Sequence, residues 1–119
     1  MLRNRIRSFR YAFQGLCDVA RTQPNFRIHI IAACLATLLG FLLHLAYAEW
    51  CLLVLTITLV LAAESLNTAI EYLTDLVSPN HHPLAGKAKD AAAAAVLMTS
   101  IAAVIIGLLL FIPKIYVLL

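Results

Sequence analysis

The chain has 119 residues, 63% of them apolar and 13% charged, with a formal net charge of +3 at pH 7. Soluble domains carry ~25% charged residues, and so short a chain cannot hide this much apolar surface in one soluble core. The composition therefore excludes a soluble enzyme and predicts an all-α integral membrane protein, a single domain over 1–119 with no nucleic-acid partner.

In chain order, residues 2–20 read as an amphipathic helix. Ile6, Phe9, Phe13 and Leu16 share a face while the arginines occupy the rest. Such a helix lies in the membrane interface beside anionic lipid phosphates. A basic topogenic tail is the plainer alternative. The stretch is not a cleaved signal peptide, because its basic region is too long and no small-residue cleavage site follows a short apolar core. A first span is expected over 28–48, with His29 and His44 as its strongly polar residues. A second is expected over 50–77. At 1.5 Å per residue it is roughly 42 Å long, more than the ~30 Å of hydrocarbon, so it projects on one side. Ser78-Pro79-Asn80-His81-His82-Pro83 marks a turn. A third span is expected over 91–112, ending at Pro113. Three spans build little interior of their own, so association with further copies is expected.

Arg3, Arg5, Arg7, Arg10, Arg21 and Arg27 precede or open the first span. The connection 44–49 has no Lys or Arg, the next carries Lys87 and Lys89, and Lys114 follows the third span. The positive-inside rule then places the N-terminus and second connection in the cytoplasm and the C-terminus outside.

The chemistry concentrates on the second span. Glu64, Asn67, Glu71 and Asp75 fall at i, i+3, i+7 and i+11, one face of a helix. The run from Trp50 to Ala63 that leads into them has no charge. Counted from Trp50, Glu64 lies about 21 Å and Glu71 about 32 Å along the helix. Glu64 is thus within the membrane, while Glu71 and Asp75 sit near the headgroups. Carboxylates at membrane depth are costly and usually mark function. Three in one stripe repel unless a cation or proton joins them. The competing structural reading has them capping a bundle through interhelical hydrogen bonds.

Cys17, Cys34 and Cys51, odd in number and on different elements, read as buried small hydrophobes. His29, His44, His81 and His82 match no zinc spacing. The glycines, Gly15, Gly40, Gly86 and Gly107, are far apart and form no phosphate-binding loop. A nucleotide site must be assembled from helix faces. Carboxylates on span two suit a divalent ion, Lys87 and Lys89 suit phosphates, and Asp90 lies beside them. Phosphoryl transfer asks mainly for positioning and charge neutralisation, which so few groups can supply.

Through Glu64-Ser-Leu-Asn-Thr-Ala-Ile-Glu71, Asp75 and Ala88-Lys-Asp-Ala-Ala-Ala-Ala-Ala-Val-Leu97, the chain resembles the small trimeric prokaryotic diacylglycerol kinase family, which includes the undecaprenol kinases. Asn25-Phe-Arg-Ile-His29 and Glu49-Trp50 resemble the undecaprenol kinase branch. The resemblance covers nearly the whole chain. It implies a homotrimer in the bacterial inner membrane, with active sites shared between subunits at the cytoplasmic surface. It further implies Glu64 as catalytic base, Asn67 as a residue orienting the reacting groups, and Glu71 as a magnesium ligand. Lys89 and Asp90 would contact the nucleotide, Asn80, His81 and His82 form the loop that meets it, and Tyr11 falls where the surface helix contacts ATP. Where many members carry a second metal-binding glutamate, this chain has Gln23, an uncharged oxygen that weakens the pull on the ion.

The expected function is ATP- and magnesium-dependent phosphorylation of a membrane lipid alcohol, with undecaprenol ahead of diacylglycerol. The rival is a small oligomeric proton- or cation-coupled transporter using Glu64 as coupling carboxylate. Lys87, Lys89 and Asp90 argue against it, because such a transporter has no need of a phosphate-binding cluster.

Overall fold

The computed structural model describes residues 2–119, with side chains from Asn4 onward. It consists of four helices: α1 (Leu2–Thr22), α2 (Pro24–Leu42), α3 (Tyr47–Val77) and α4 (Pro83–Leu118). The last three are long and apolar enough to cross a membrane. In a bilayer every backbone group needs an internal partner, which only helices and closed barrels supply. Two buried hydroxyls of α3 follow the same rule, Thr56 Oγ1 donating to Leu52 O at 2.7 Å and Thr68 Oγ1 to Glu64 O at 3.0 Å, whereas Ser100 Oγ on the last helix is buried without a partner among the described residues.

The helices that carry the spans differ from the expected boundaries at every end but one, the second ending at Val77 as expected. The first helix runs over Pro24–Leu42 rather than 28–48. Pro24 occupies the first helical position, where its missing N–H costs nothing and its fixed φ suits the helix. The stop at Leu42 comes from a Schellman turn. His44 takes φ 51°. Leu45 N donates to Gly40 O at 3.0 Å and His44 N to Phe41 O at 3.3 Å. The apolar run 45–48 hides this turn, since nothing in its hydropathy marks a left-handed residue. The second helix starts at Tyr47, with Glu49 accepting from Ala46 N at 2.7 Å, the carboxylate half of a capping box. The third helix begins at Pro83, not at Ala91, and continues past Pro113 to Leu118. Lys87, Lys89 and Asp90 limit what the membrane can hold but do not interrupt intrahelical hydrogen bonds. Pro113 removes one such bond close to the helix end, where continuity survives.

Helices α3 and α4 form the principal pair, with α2 against α3 and α1 touching both α2 and α3. Two ion pairs show that α3 and α4 are antiparallel. Glu49 meets Lys114 at 2.9 Å at one end, and Asp75 meets Lys89 at the other. Leu45, Leu53, Leu110 and Phe111 are the buried centre of the packing, flanked by Ala36, Leu39, Trp50 and Ile106. Phe41 and Trp50 stack obliquely with ring centroids 4.6 Å apart.

The single chain leaves much apolar surface uncovered. Its accessible surface is 9019 Å², against ~6,300 Å² for a compact chain of its mass. Its radius of gyration is 17.6 Å, against ~13.5 Å for a compact domain of this length. Ile6, Phe9, Phe13 and Leu16 of α1 are all exposed, as are most apolar side chains of the spans. The cysteines depart from the buried reading: Cys34 and Cys51 are exposed and Cys17 half-buried, all as free thiols.

Gly40 is where the α2–α3 hairpin is tightest. A Cβ there would stand 2.9 Å from both Leu45 Cδ1 and Trp50 Cη2. Gly40→Val should destabilise the protein by ~1–3 kcal/mol, the usual cost of overpacking, and lower its Tm in detergent. An unchanged Tm would mean that the Leu45 and Trp50 side chains yield freely.

Candidate active site

The stripe on α3 holds two environments. Glu64 is 2% exposed and Thr68 1%, whereas Asn67 and Glu71 are half-buried and Asp75 is open to solvent. Along the helix Glu64 and Asp75 are about 16 Å apart. Asn67 Nδ2 donates to Glu71 Oε1 at 3.0 Å, an i, i+4 contact that fixes the Glu71 carboxylate. Asn67 Oδ1 is buried without a hydrogen-bond partner. A half-buried carboxylate beside an unpartnered amide oxygen offers hard oxygen ligands suited to magnesium, which usually takes one or two carboxylates and completes its shell with phosphates and water. Among the described residues, no three His, Cys, Asp or Glu side chains converge to hold a metal by themselves.

At the far end of α3 a pocket of about 180 Å³ opens between Asp75, Asn80, His81, His82, Gly86 and Lys89. The chain thus gathers four of its expected nucleotide-contacting residues in one place. Lys89 Nζ binds Asp75 Oδ1, and both groups are substantially exposed. That exchangeable surface pair leaves the ammonium able to turn to a phosphate. His82 is more committed, since its Nδ1 caps α4 by accepting from Leu84 N at 3.1 Å. Asp90 is exposed on the following turn.

Gln23 is the N-cap of α2 and is half-buried. Its neighbour Thr22 joins α1 to α3, with Thr22 Oγ1 3.1 Å from Tyr72 Oη, and Tyr72 Oη donates to Asp18 Oδ2 at 2.9 Å. Gln23 therefore lies at the same end of α3 as Glu71. Tyr11 stays apart: it is 67% exposed, one residue before the stretch of α1 that lines a cleft with Ser65, Thr68 and Tyr72. Among the described residues it makes no hydrogen bond to another expected site residue.

Three contributors escaped the sequence reading. Asp18 and Tyr72 lock α1 onto α3, and His29 brings Nε2 to 3.3 Å from Glu64 Oε1. For His29 one signal existed, a strongly polar side chain near the start of an apolar span. No local pattern announces the Asp18–Tyr72 contact.

Comparison with known proteins follows the same outline. The model of the prokaryotic diacylglycerol kinase family matches residues 10–111. The undecaprenol kinase of Bacillus subtilis (strain 168) is 47% identical over 108 residues, covering 91% of this chain and 88% of that protein. A diacylglycerol kinase of Synechocystis is 46% identical over 111 residues, covering 92% of this chain and 63% of that longer protein. The diacylglycerol kinase of Escherichia coli (strain K12) is 35% identical over 100 residues, covering 84% of this chain and 82% of that protein.

Tyr72→Phe should loosen α1 without unfolding the spans, at a cost of ~0.5–1.5 kcal/mol for the lost hydroxyl bonds. Faster hydrogen exchange across residues 14–22, with the exchange of α3 and α4 unchanged, is the expected result. Unaltered exchange in α1 would mean that its docking rests on Val19 and Phe26 instead.

Proposed function

The chain belongs to the prokaryotic diacylglycerol kinase family and is a lipid kinase; on that premise we propose that it transfers the γ-phosphoryl group of ATP to the hydroxyl of undecaprenol, ahead of diacylglycerol. The observation that carries the reading is the partition of α3. Glu64 is a buried carboxylate in the apolar part of the helix, which suits a lipid acceptor, and the polar, exposed pocket at the helix's far end suits a soluble nucleotide. The preference for undecaprenol rests on the identity to the Bacillus subtilis protein.

In this mechanism Glu64 accepts the proton of the lipid hydroxyl. The lipid oxygen forms a bond to the γ-phosphorus while the bond to the bridging oxygen of ADP breaks, and ADP departs with that electron pair. Asn67 orients Glu71 through its amide. Lys89, released from Asp75, pairs with phosphate, and Asn80, His81 and Asp90 border the nucleotide. Magnesium, held by Glu71, by Gln23 and by phosphate oxygens, would supply charge neutralisation at the transferring group. Tyr11 completes the nucleotide site from the surface helix, which lies along the cytoplasmic face of the inner membrane with the C-terminus outside.

The working unit is a homotrimer. The excess exposed surface of the isolated chain and the separation of Tyr11 from the α3 pocket support a site finished by neighbouring copies. The transporter reading has no use for the Asp75–Lys89 pocket and is not favoured.

Purified protein with labelled ATP and magnesium, offered undecaprenol and diacylglycerol in parallel, tests the substrate. Faster labelling of undecaprenol is expected, and exclusive labelling of diacylglycerol would reverse the assignment. Glu64→Gln should lower turnover ~10²–10⁴-fold, the contribution of a general base, while ATP-analogue binding is retained. Near-normal turnover would remove Glu64 from that role. Gln23→Glu should preserve activity and lower the magnesium concentration for half-maximal rate, because an added carboxylate strengthens the hold on a hard cation. An unchanged or weaker metal requirement would place Gln23 outside the coordination shell.

A further inference from the structure

A buried carboxylate oxygen without a partner costs free energy that the fold must recover elsewhere. Glu64 Oε1 is such an atom: it is buried and accepts no hydrogen bond among the described residues. Its side chain is 3% exposed, and His29 Nε2 stands 3.3 Å away but out of alignment for a hydrogen bond. The imidazole belongs to α2 and the carboxylate to α3, so their meeting is tertiary.

His29 also lines a cavity of about 230 Å³ between α2, α3 and α4. The antiparallel run of the helices sets the ends of this slot. Leu61 and Ser100 lie with His29 at the Glu64 end, and Leu53 and Phe111 lie at the other. The Thr56 hydroxyl on its wall is engaged by Leu52 O. Two polar groups line the slot at that end: Ser100, whose Oγ is buried without a hydrogen-bond partner among the described residues, and His29, which stands 3.3 Å from the buried acid.

We infer that His29 is the positioning residue for Glu64. The neutral ring, turned into alignment, donates Nε2–H to Oε1 and leaves Oε2 for the hydroxyl of the lipid acceptor. The hydroxyl proton passes to Oε2 as the lipid oxygen bonds to the γ-phosphorus and ADP leaves, while His29 keeps its own proton throughout. The bond holds the carboxylate in one orientation, which is what a base needs in order to meet its proton at hydrogen-bond distance. This role rests on the reading of Glu64 as base, and it adds a residue that the acidic stripe alone does not contain.

The test compares three variants of the full-length protein in lipid-containing micelles, measuring kcat, KM for ATP and Tm. His29→Leu keeps bulk and removes the donor. His29→Gln places an amide donor near the position of Nε2, and His29→Asn places one near Nδ1 instead. Leu and Asn should each lower kcat by about 10-fold or more, a share of the ~10²–10⁴-fold that a general base supplies. KM for ATP should stay within about twofold in both, and Gln should recover most of the rate. If the Leu variant does not fold, the contrast between Gln and Asn decides alone. A kcat for Leu or Asn within about twofold of wild type would overturn the inference, as would a Gln variant no faster than Asn. Failure of the kinase reading looks different: the wild-type protein itself would then phosphorylate neither lipid.

Discussion

His44 turns the chain from α2 into α3 through residues 43–46, and the register of those two helices follows from that turn. A left-handed residue at 44 lets the amides of His44 and Leu45 satisfy the carbonyls of Phe41 and Gly40. Leu45 folds back over Gly40, where any side chain would collide with it and with Trp50. With the hairpin closed so tightly, sliding one helix against the other is excluded by packing. His29 on α2 is thereby held level with Glu64 on α3. In a membrane, where apolar contacts give little directional preference, this kind of close approach by a small residue does much to specify pairing.

From that register the rest of α3 becomes a graded path. Its middle is dry, with Leu53, Thr56, Val60, Glu64 and Thr68 buried in sequence along one stripe. Its end is wet, with Asp75 open and bound to Lys89. A kinase that joins a water-soluble donor to a membrane-bound acceptor requires such a gradient, because its two substrates occupy different solvents. The stretch of about 16 Å between Glu64 and Asp75 gives a triphosphate, on the proposed reading, room to reach from the surface pocket towards Glu64. On the proposed reading, Glu71 and Asn67 occupy the middle of that distance, where the transferring phosphoryl group and its cation would sit.

The helix ends follow a different logic from the membrane boundaries. Glu49 with Lys114, and Asp75 with Lys89, fasten α3 to α4 at opposite ends. The Asp75–Lys89 pair is open to solvent and the Glu49–Lys114 pair half-buried, so each by itself is worth little, but together they fix which residues of α4 face α3. Helix α1 is docked by the Tyr72 hydroxyl shared between Asp18 and Thr22 and by the buried Val19, a lighter attachment than that between α3 and α4.

The sequence by itself determined the class of molecule, its three spans and the stripe of acids, because hydropathy and helical periodicity are local properties of the chain. Glu64-Ser-Leu-Asn-Thr-Ala-Ile-Glu71, taken with Asp75 and the downstream segment 88–97 that carries Lys89 and Asp90, also pointed to the family. Helix ends were less legible. Leu42, Tyr47 and Pro83 are set by backbone capping, and apolar or charged character does not report φ and ψ. Only the tertiary structure decided that Glu64 is buried against His29, that Lys89 returns to Asp75, and that Tyr72 holds α1. Each of these contacts joins residues from different helices, so it depends on the register in which those helices pack, and no local pattern in the chain encodes a register.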